Sequence, residues 1–229
     1  MTQDSKRVYP MTRRSAKMTL RTCCSEIGRR EANKEARRDA IVDVATKRFL
    51  KYGYAGTTMS AIASRLGGSK GTLWSYFPSK EKLFAAVIDR SSMAFRSQIA
   101  EILDPTEDVE ETMRRYAGKY LARITSPQAV AFQRLIIGEC GRFPEVGRIF
   151  YEHGSNVTLA LLADYIEEAM AMGFLRNADP HGAARDFTGL CMSGCHQMLI
   201  TGAIPEAAGP LIANDVERVV ATFMRAYAA

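Results

Sequence analysis

Three observations predict an all-α protein. Apolar residues recur at helical spacing in one segment after another, no alternating strand of convincing length intervenes, and Gly, Pro and small capping residues fall at the segment ends. The 229 residues suffice for one large domain or two smaller ones, and a hydrophobic share of 47% beside 24% charged is ordinary globular usage.

Order is expected from about Arg37. Ile41, Val44, Ala45, Phe49 and Tyr52 share one face of a helix that Gly53 stops. Residues 1–36 carry nine Lys or Arg and no sustained apolar period, so they read as a flexible basic tail, with Met11 and Met18 leaving a later start open. Thr57-Thr58 offers the cap of a second helix, 59–66, in which Met59, Ile62, Ala63 and Leu66 keep the period and after which Gly67 makes the turn. Ser69 suits the cap of a third, short helix, 70–77, closed by Pro78. From Ser79 nothing breaks the helix until about Leu103, a rod of about 36 Å that can run from one domain into the next.

The remainder is helical too. Residues 107–124 carry Val109, Met113, Tyr116, Ala117 and Tyr120 in period, Pro127 restarts the chain, and short and long helices are expected at 146–151 and 157–172. Asp179-Pro180 is a cap and first-turn pair that opens one continuous helix over 181–200, and 215–227 is the last. The expected division is a tail at 1–36, a three-helix head at 37–84 and a larger helical domain at 85–229.

Charge divides the chain unevenly. Residues 1–90 hold 19 Lys and Arg against 8 Asp and Glu, whereas 91–229 hold 12 against 17, so the first third is the part suited to meet a polyanion. No run of about 18 apolar residues suggests a membrane span and no secretory signal is apparent, so a cytoplasmic place is expected. Five Cys at irregular spacing do not make a disulfide framework. Cys191, Cys195 and His196 supply one cluster with no second half, so neither zinc nor any other cofactor is implied.

Two short helices joined by Gly67-Gly68-Ser69 have the spacing of a helix-turn-helix. If Leu73 and Phe77 face inward, then Lys70, Gly71, Thr72, Trp74 and Ser75 face outward or sideways. Lys70 suits a phosphate or a guanine edge, and Thr72 suits a thymine methyl or a base-edge acceptor. Trp74 and Tyr76 combine an apolar body with one donor tip, Gly71 permits close approach to the nucleic-acid backbone, and Lys80 places a cation beside helix-end amides. Taken singly, each of these residues also fits a plain core or a solvated rim; in register, within a basic surround, they point to duplex DNA.

The stretch from Arg37 to Arg90 closely resembles the DNA-binding domain of the TetR/AcrR family of bacterial regulators. The matching features are the aromatic before Gly53, the Thr-Thr cap, A-x-x-L-G, S-K-G-T-L-W and Y-F-x-S-K-E-x-L-F. Gly68 stands where an aliphatic residue is usual and Trp74 where Tyr is commoner. The resemblance implies DNA contacts from Thr58, Lys70, Thr72, Trp74, Tyr76 and Lys80, and Ser69 and Gly71 complete the expected contact set. It implies a helical ligand-binding and dimerisation domain behind them, and RLIIGECGRFPEVGRIFYEHG is similar to the AefR-like subgroup there. Homodimers would pair through the last two long helices, about 181–201 and 213–227, along Ala184, Phe187, Leu190, Cys191, Val216, Val219, Val220 and Phe223. Candidate residues around a small, mostly apolar effector are Phe95, Ile99, Met113, Tyr116, Tyr120, Phe132, Leu135 and Ile136, each of which suits an ordinary core more readily.

The function so implied is a ligand-responsive repressor released from a palindromic operator. An enzyme is not expected, because His153, His181 and His196 lie apart in sequence and no nucleophile elbow, phosphate loop or metal pair is present. A second option keeps the DNA role but switches through Cys191 and Cys195, neighbours at i, i+4 on one predicted helix.

Overall fold

The computed structural model describes residues 13–67 and 70–229. Eleven α-helices run through them: α1 (Arg13–Tyr52), α2 (Met59–Arg65), α3 (Lys70–Tyr76), α4 (Lys80–Ile102), α5 (Val109–Ile124), α6 (Pro127–Glu139), α7 (Pro144–Phe150), α8 (Asn156–Ala171), α9 (Pro180–Met192), α10 (Cys195–Thr201) and α11 (Gly209–Tyr227). A π-helical turn, Tyr151–Ser155, joins α7 to α8. The sole extended pairing among the described residues is an isolated bridge between Leu175 and Ala228.

Local signals set the helix starts. Thr58, Ser79, Asp108 and Ser126 each accept a hydrogen bond from the backbone N–H three residues on, and Asp179 accepts one from His181. These bonds satisfy donors that a helix start leaves open. Pro127, Pro144 and Pro180 occupy first-turn positions, where the missing N–H is not needed.

Two expectations are corrected here. Residues 13–36, expected to precede the ordered fold, continue α1, and residues 1–12 lie outside the described residues. Residues 29–36 are all exposed, so this part of the helix buries no stripe for periodicity to reveal; its Arg, Lys, Glu and Ala are strong helix formers. The helix expected over 181–200 is two helices, broken at Ser193-Gly194. Asp215 of α11 occupies the place a Gly194 side chain would need, since a Cβ there would lie 2.1 Å from its Oδ2. The same oxygen accepts from Cys195 N–H at 2.7 Å and so caps the new helix start. A tertiary contact replaces the ladder, and nothing local in the sequence announces it.

Two apolar clusters result. One gathers Ile41, Phe49, Tyr54, Ile62, Leu73, Phe77 and Phe84 from α1 to α4, and continues through Ile88 into Phe132, Ile136, Val146 and Ile149 of α6 and α7. The other joins Phe95 and Ile99 of α4 to α5, α8, α9 and α11. Burying a side chain of the size of Phe or Leu contributes about 1.5–3 kcal/mol, so these clusters hold the head on α4 and close the bundle.

Ala184, Phe187, Cys191, Val219, Val220 and Phe223, expected on a surface between two copies, are all buried in this second cluster. Their helical period marks the face each chain buries within itself. The outward face of α9 and α11 carries Arg185, Gly189, Met192, Ala221 and Arg225 instead.

Candidate nucleic-acid interface and cavity

The outward face of α3 follows from where its apolar residues go. Leu73 and Phe77 are 2% and 3% exposed and anchor the helix in the head, whereas Trp74 is 48% exposed. Gly71, Thr72 and Ser75 are exposed with it, and Tyr76 is half-buried. α3 therefore rides on the head with a polar and aromatic strip to solvent, and α2 packs behind it. Lys70 opens the helix backbone; its side chain, like Ser69, lies outside the described residues. Thr58 is exposed at the start of α2, and its hydroxyl accepts from Ala61 N–H at 3.2 Å.

Lys80 behaves differently from a free phosphate ligand. Its ammonium sits 4.0 Å from the centre of the Tyr54 ring. Burial lowers its pKa, against the pull of Glu139, Glu81 and Glu145. Burial likewise drives the Tyr54 hydroxyl far above its ordinary value, with Glu81 adding to the rise. This cluster is where α6 meets the head. The Glu139 carboxylate accepts from Ala55 N–H at 3.2 and 3.3 Å. Gly53 makes room for it: φ is +71°, and a Cβ would fall 2.3 Å from Glu139 Oε1.

A cavity of about 150 Å³ opens between α4, α5, α6, the π-helical turn, α8, α9 and α10. Phe95, Tyr120 and Phe132 are the sequence-expected residues that line it. Ile99, Met113, Tyr116, Leu135 and Ile136 do not line it; all but Leu135 are buried core, and Leu135 packs against the head cluster. The apolar wall also includes Ile88, Ile124, Phe150 and Met192.

The polar part of the wall was not anticipated. Ser91, Arg123, Gln133, Thr158 and His196 all face the cavity. His196 Nε2 and Gln133 Oε1 lie 2.7 Å apart, and burial holds the imidazole pKa below its usual value. Arg123 donates to the Ser91 carbonyl at 2.7 Å and, more weakly, to Ser126 Oγ at 3.4 Å. Arg123 was legible: with Tyr120 and Ile124 it sits at i, i+3, i+4 on the inner face of α5, where a charge is out of place.

The thiols do not support redox switching. Cys191 and Cys195 fall on either side of the Ser193-Gly194 break and are 0% and 1% exposed. Burial raises the pKa of both, Cys195 to about 11 with Asp215 adding to the effect, so neither is a thiolate near neutrality.

Comparison with known proteins fits this arrangement. Residues 41–87 match the model of the tetR family of bacterial regulatory proteins, and 111–229 match the C-terminal domain of the AefR-like transcriptional repressors. The chain is 30% identical over 79 residues to the Bacillus subtilis (strain 168) HTH-type transcriptional regulator YhgD, and 41% identical over 61 residues to RutR of Escherichia coli (strain K12). Those matches cover 34% and 27% of this chain, and 41% and 29% of the relatives' own length. Among solved structures, a TetR-family regulator from Mesorhizobium loti MAFF303099 superposes with a TM-score of 0.73 at 28% identity. The flavonoid-responsive regulator FrrA does so at 0.70 and 34%; for both, 85% of this chain and 98% of the other are covered. With an exposed α3 on a compact head and both halves matched in order, the chain belongs to the TetR family of bacterial regulators and carries an AefR-like C-terminal domain.

Proposed function

We propose that this protein is a ligand-responsive transcriptional regulator that acts as a homodimeric repressor. Two copies of α3 enter successive major grooves about 34 Å apart on a near-palindromic site. The observation that carries this reading is the split along α3, where Leu73 and Phe77 are buried and Trp74 is exposed beside Thr72. Thr72, Trp74 and Tyr76 meet base edges and groove walls, Gly71 allows close approach, and Lys70 and Ser69 meet phosphates. Thr58 presents the start of α2 to the phosphate backbone. Lys80 acts indirectly, by holding Tyr54 and the turn above it. The pairing surface is the outward face of α9 and α11.

A small effector enters the cavity beside α4, whose first turn is part of the head, and shifts that helix so that the two heads no longer match the groove spacing. The effector must bind the two states unequally, and each tenfold difference corresponds to about 1.4 kcal/mol of coupling. That FrrA is named flavonoid-responsive supports an organic effector with aromatic character.

Gel shifts with the DNA upstream of the protein's own gene test the reading. The wild-type protein shifts this DNA, and a Thr72→Ala, Tyr76→Ala double variant binds it at least about tenfold more weakly, as expected for lost base contacts. Undiminished binding by that variant refutes the assignment of α3.

A further inference from the structure

We propose that the cavity takes a one-ring aromatic acid, with Arg123 as the residue that pairs with its carboxylate. The inference rests on the regulator reading and names the chemistry of its effector. A guanidinium offers five N–H donors, yet among the described residues the hydrogen bonds of Arg123 run only to the Ser91 carbonyl and the Ser126 hydroxyl. No carboxylate among the described residues pairs with it. Burial alone moves its pKa, downward, with no acidic neighbour pulling the other way. An uncompensated cation beside an apolar cavity is unfavourable until an anion arrives, and a carboxylate matches the planar fork with two parallel bonds.

The rest of the wall selects the body of the ligand. Phe95, Tyr120 and Phe132 present ring surfaces. A volume of about 150 Å³ is the size of an apolar cavity that admits one benzene ring. Gln133, tied to His196 at 2.7 Å, offers a further polar contact for a ring substituent.

The pairing also reaches α4. The Arg123–Ser91 bond ties α5 to the α4 backbone at 2.7 Å, and a carboxylate drawn to the spare donors pulls on the same guanidinium. Ligand binding thereby loosens a tie on the helix that begins at the DNA-reading head.

Isothermal titration of the full-length protein with benzoate and trans-cinnamate, each beside its neutral primary amide, tests the proposal. A charge-assisted pair at this site predicts that the acids bind about 10- to 100-fold more tightly than the amides. Arg123→Met abolishes that preference, bringing the acid and amide affinities within about twofold of each other, and Arg123→Lys restores part of it. Thermal melts of the variants check folding; should Arg123→Met fail to fold, the wild-type comparison of acid with amide decides. Equal affinity for acids and amides, acid binding unchanged in a folded Arg123→Met protein, or no binding of either acid at 10 mM (about the weakest range such titration reads) overturns the proposal. Gel shifts run on the same preparations separate the two readings. DNA binding that persists while the acids fail sinks the effector class alone, and absent DNA binding with Arg123-dependent acid binding sinks the regulator reading instead.

Discussion

The contact between Glu139 and the turn after α1 invites a double-mutant cycle. Gly53 has φ +71°, and an added Cβ would lie 2.3 Å from Glu139 Oε1. Gly53→Ala therefore does two things: it forces a residue with a Cβ into left-handed backbone, at about 1–2 kcal/mol, and it drives the carboxylate off Ala55 N–H. That charge-assisted bond at the surface is worth about 1 kcal/mol. The clash itself adds little, because the end of a Glu side chain can swing away. Gly53→Ala is thus expected to lower unfolding stability by about 2–3 kcal/mol in the wild-type background and by about 1–2 kcal/mol in Glu139→Ala, a coupling of about 1 kcal/mol. Urea unfolding followed by circular dichroism reads all four corners, provided the slope with denaturant stays constant. Identical costs in the two backgrounds would refute the claim that Glu139 braces this turn.

Leu73→Ala and Trp74→Ala separate holding α3 from using it. The first removes a side chain that is 2% exposed and destabilises by about 2–5 kcal/mol. The second leaves stability within about 0.5 kcal/mol yet weakens operator binding, as fluorescence anisotropy on labelled DNA checks. Asp215 gives a pH signature: burial opposes its ionisation, but bonds from Cys195 and Arg218 outweigh it and leave the folded pKa below the ordinary 3.8. A depressed carboxylate contributes stability above that ordinary value and loses it as pH falls through the folded value, so Asp215→Asn should flatten the acid limb of the melting curve below about pH 4. The thiols of Cys191 and Cys195 should resist iodoacetamide at pH 8 in the folded protein and react on unfolding, as peptide mapping by mass spectrometry shows, and peroxide should leave DNA binding unchanged.

What the sequence disclosed depended on how local each cause is. The caps at Thr58, Ser79 and Asp179 are local, and the helices start where those residues stand. The strip on α3 was readable because Leu73 and Phe77 alone keep the apolar period. The break at Ser193-Gly194 was not, since it depends on a carboxylate from Asp215, twenty residues away. Periodicity also misassigned the role of Phe187, Val219 and Phe223, because a core within one chain and a seam between two produce the same spacing. The cavity was half-visible for a similar reason. Tyr120 and Phe132 line it while Met113 and Tyr116 fill solid core, and no sequence pattern tells a wall from a filling.

The head does not end where its last short helix does. Phe84, Val87 and Ile88 share a cluster with Phe132, Val146 and Ile149, which arrive from 44 to 65 positions further on. Excising residues 37–90 would strip those neighbours and leave a greasy flank that invites aggregation. Anyone grafting this DNA reader onto a foreign sensor should therefore transplant α6 and α7 along with it, or redesign the bared side of α4 as a water-facing surface.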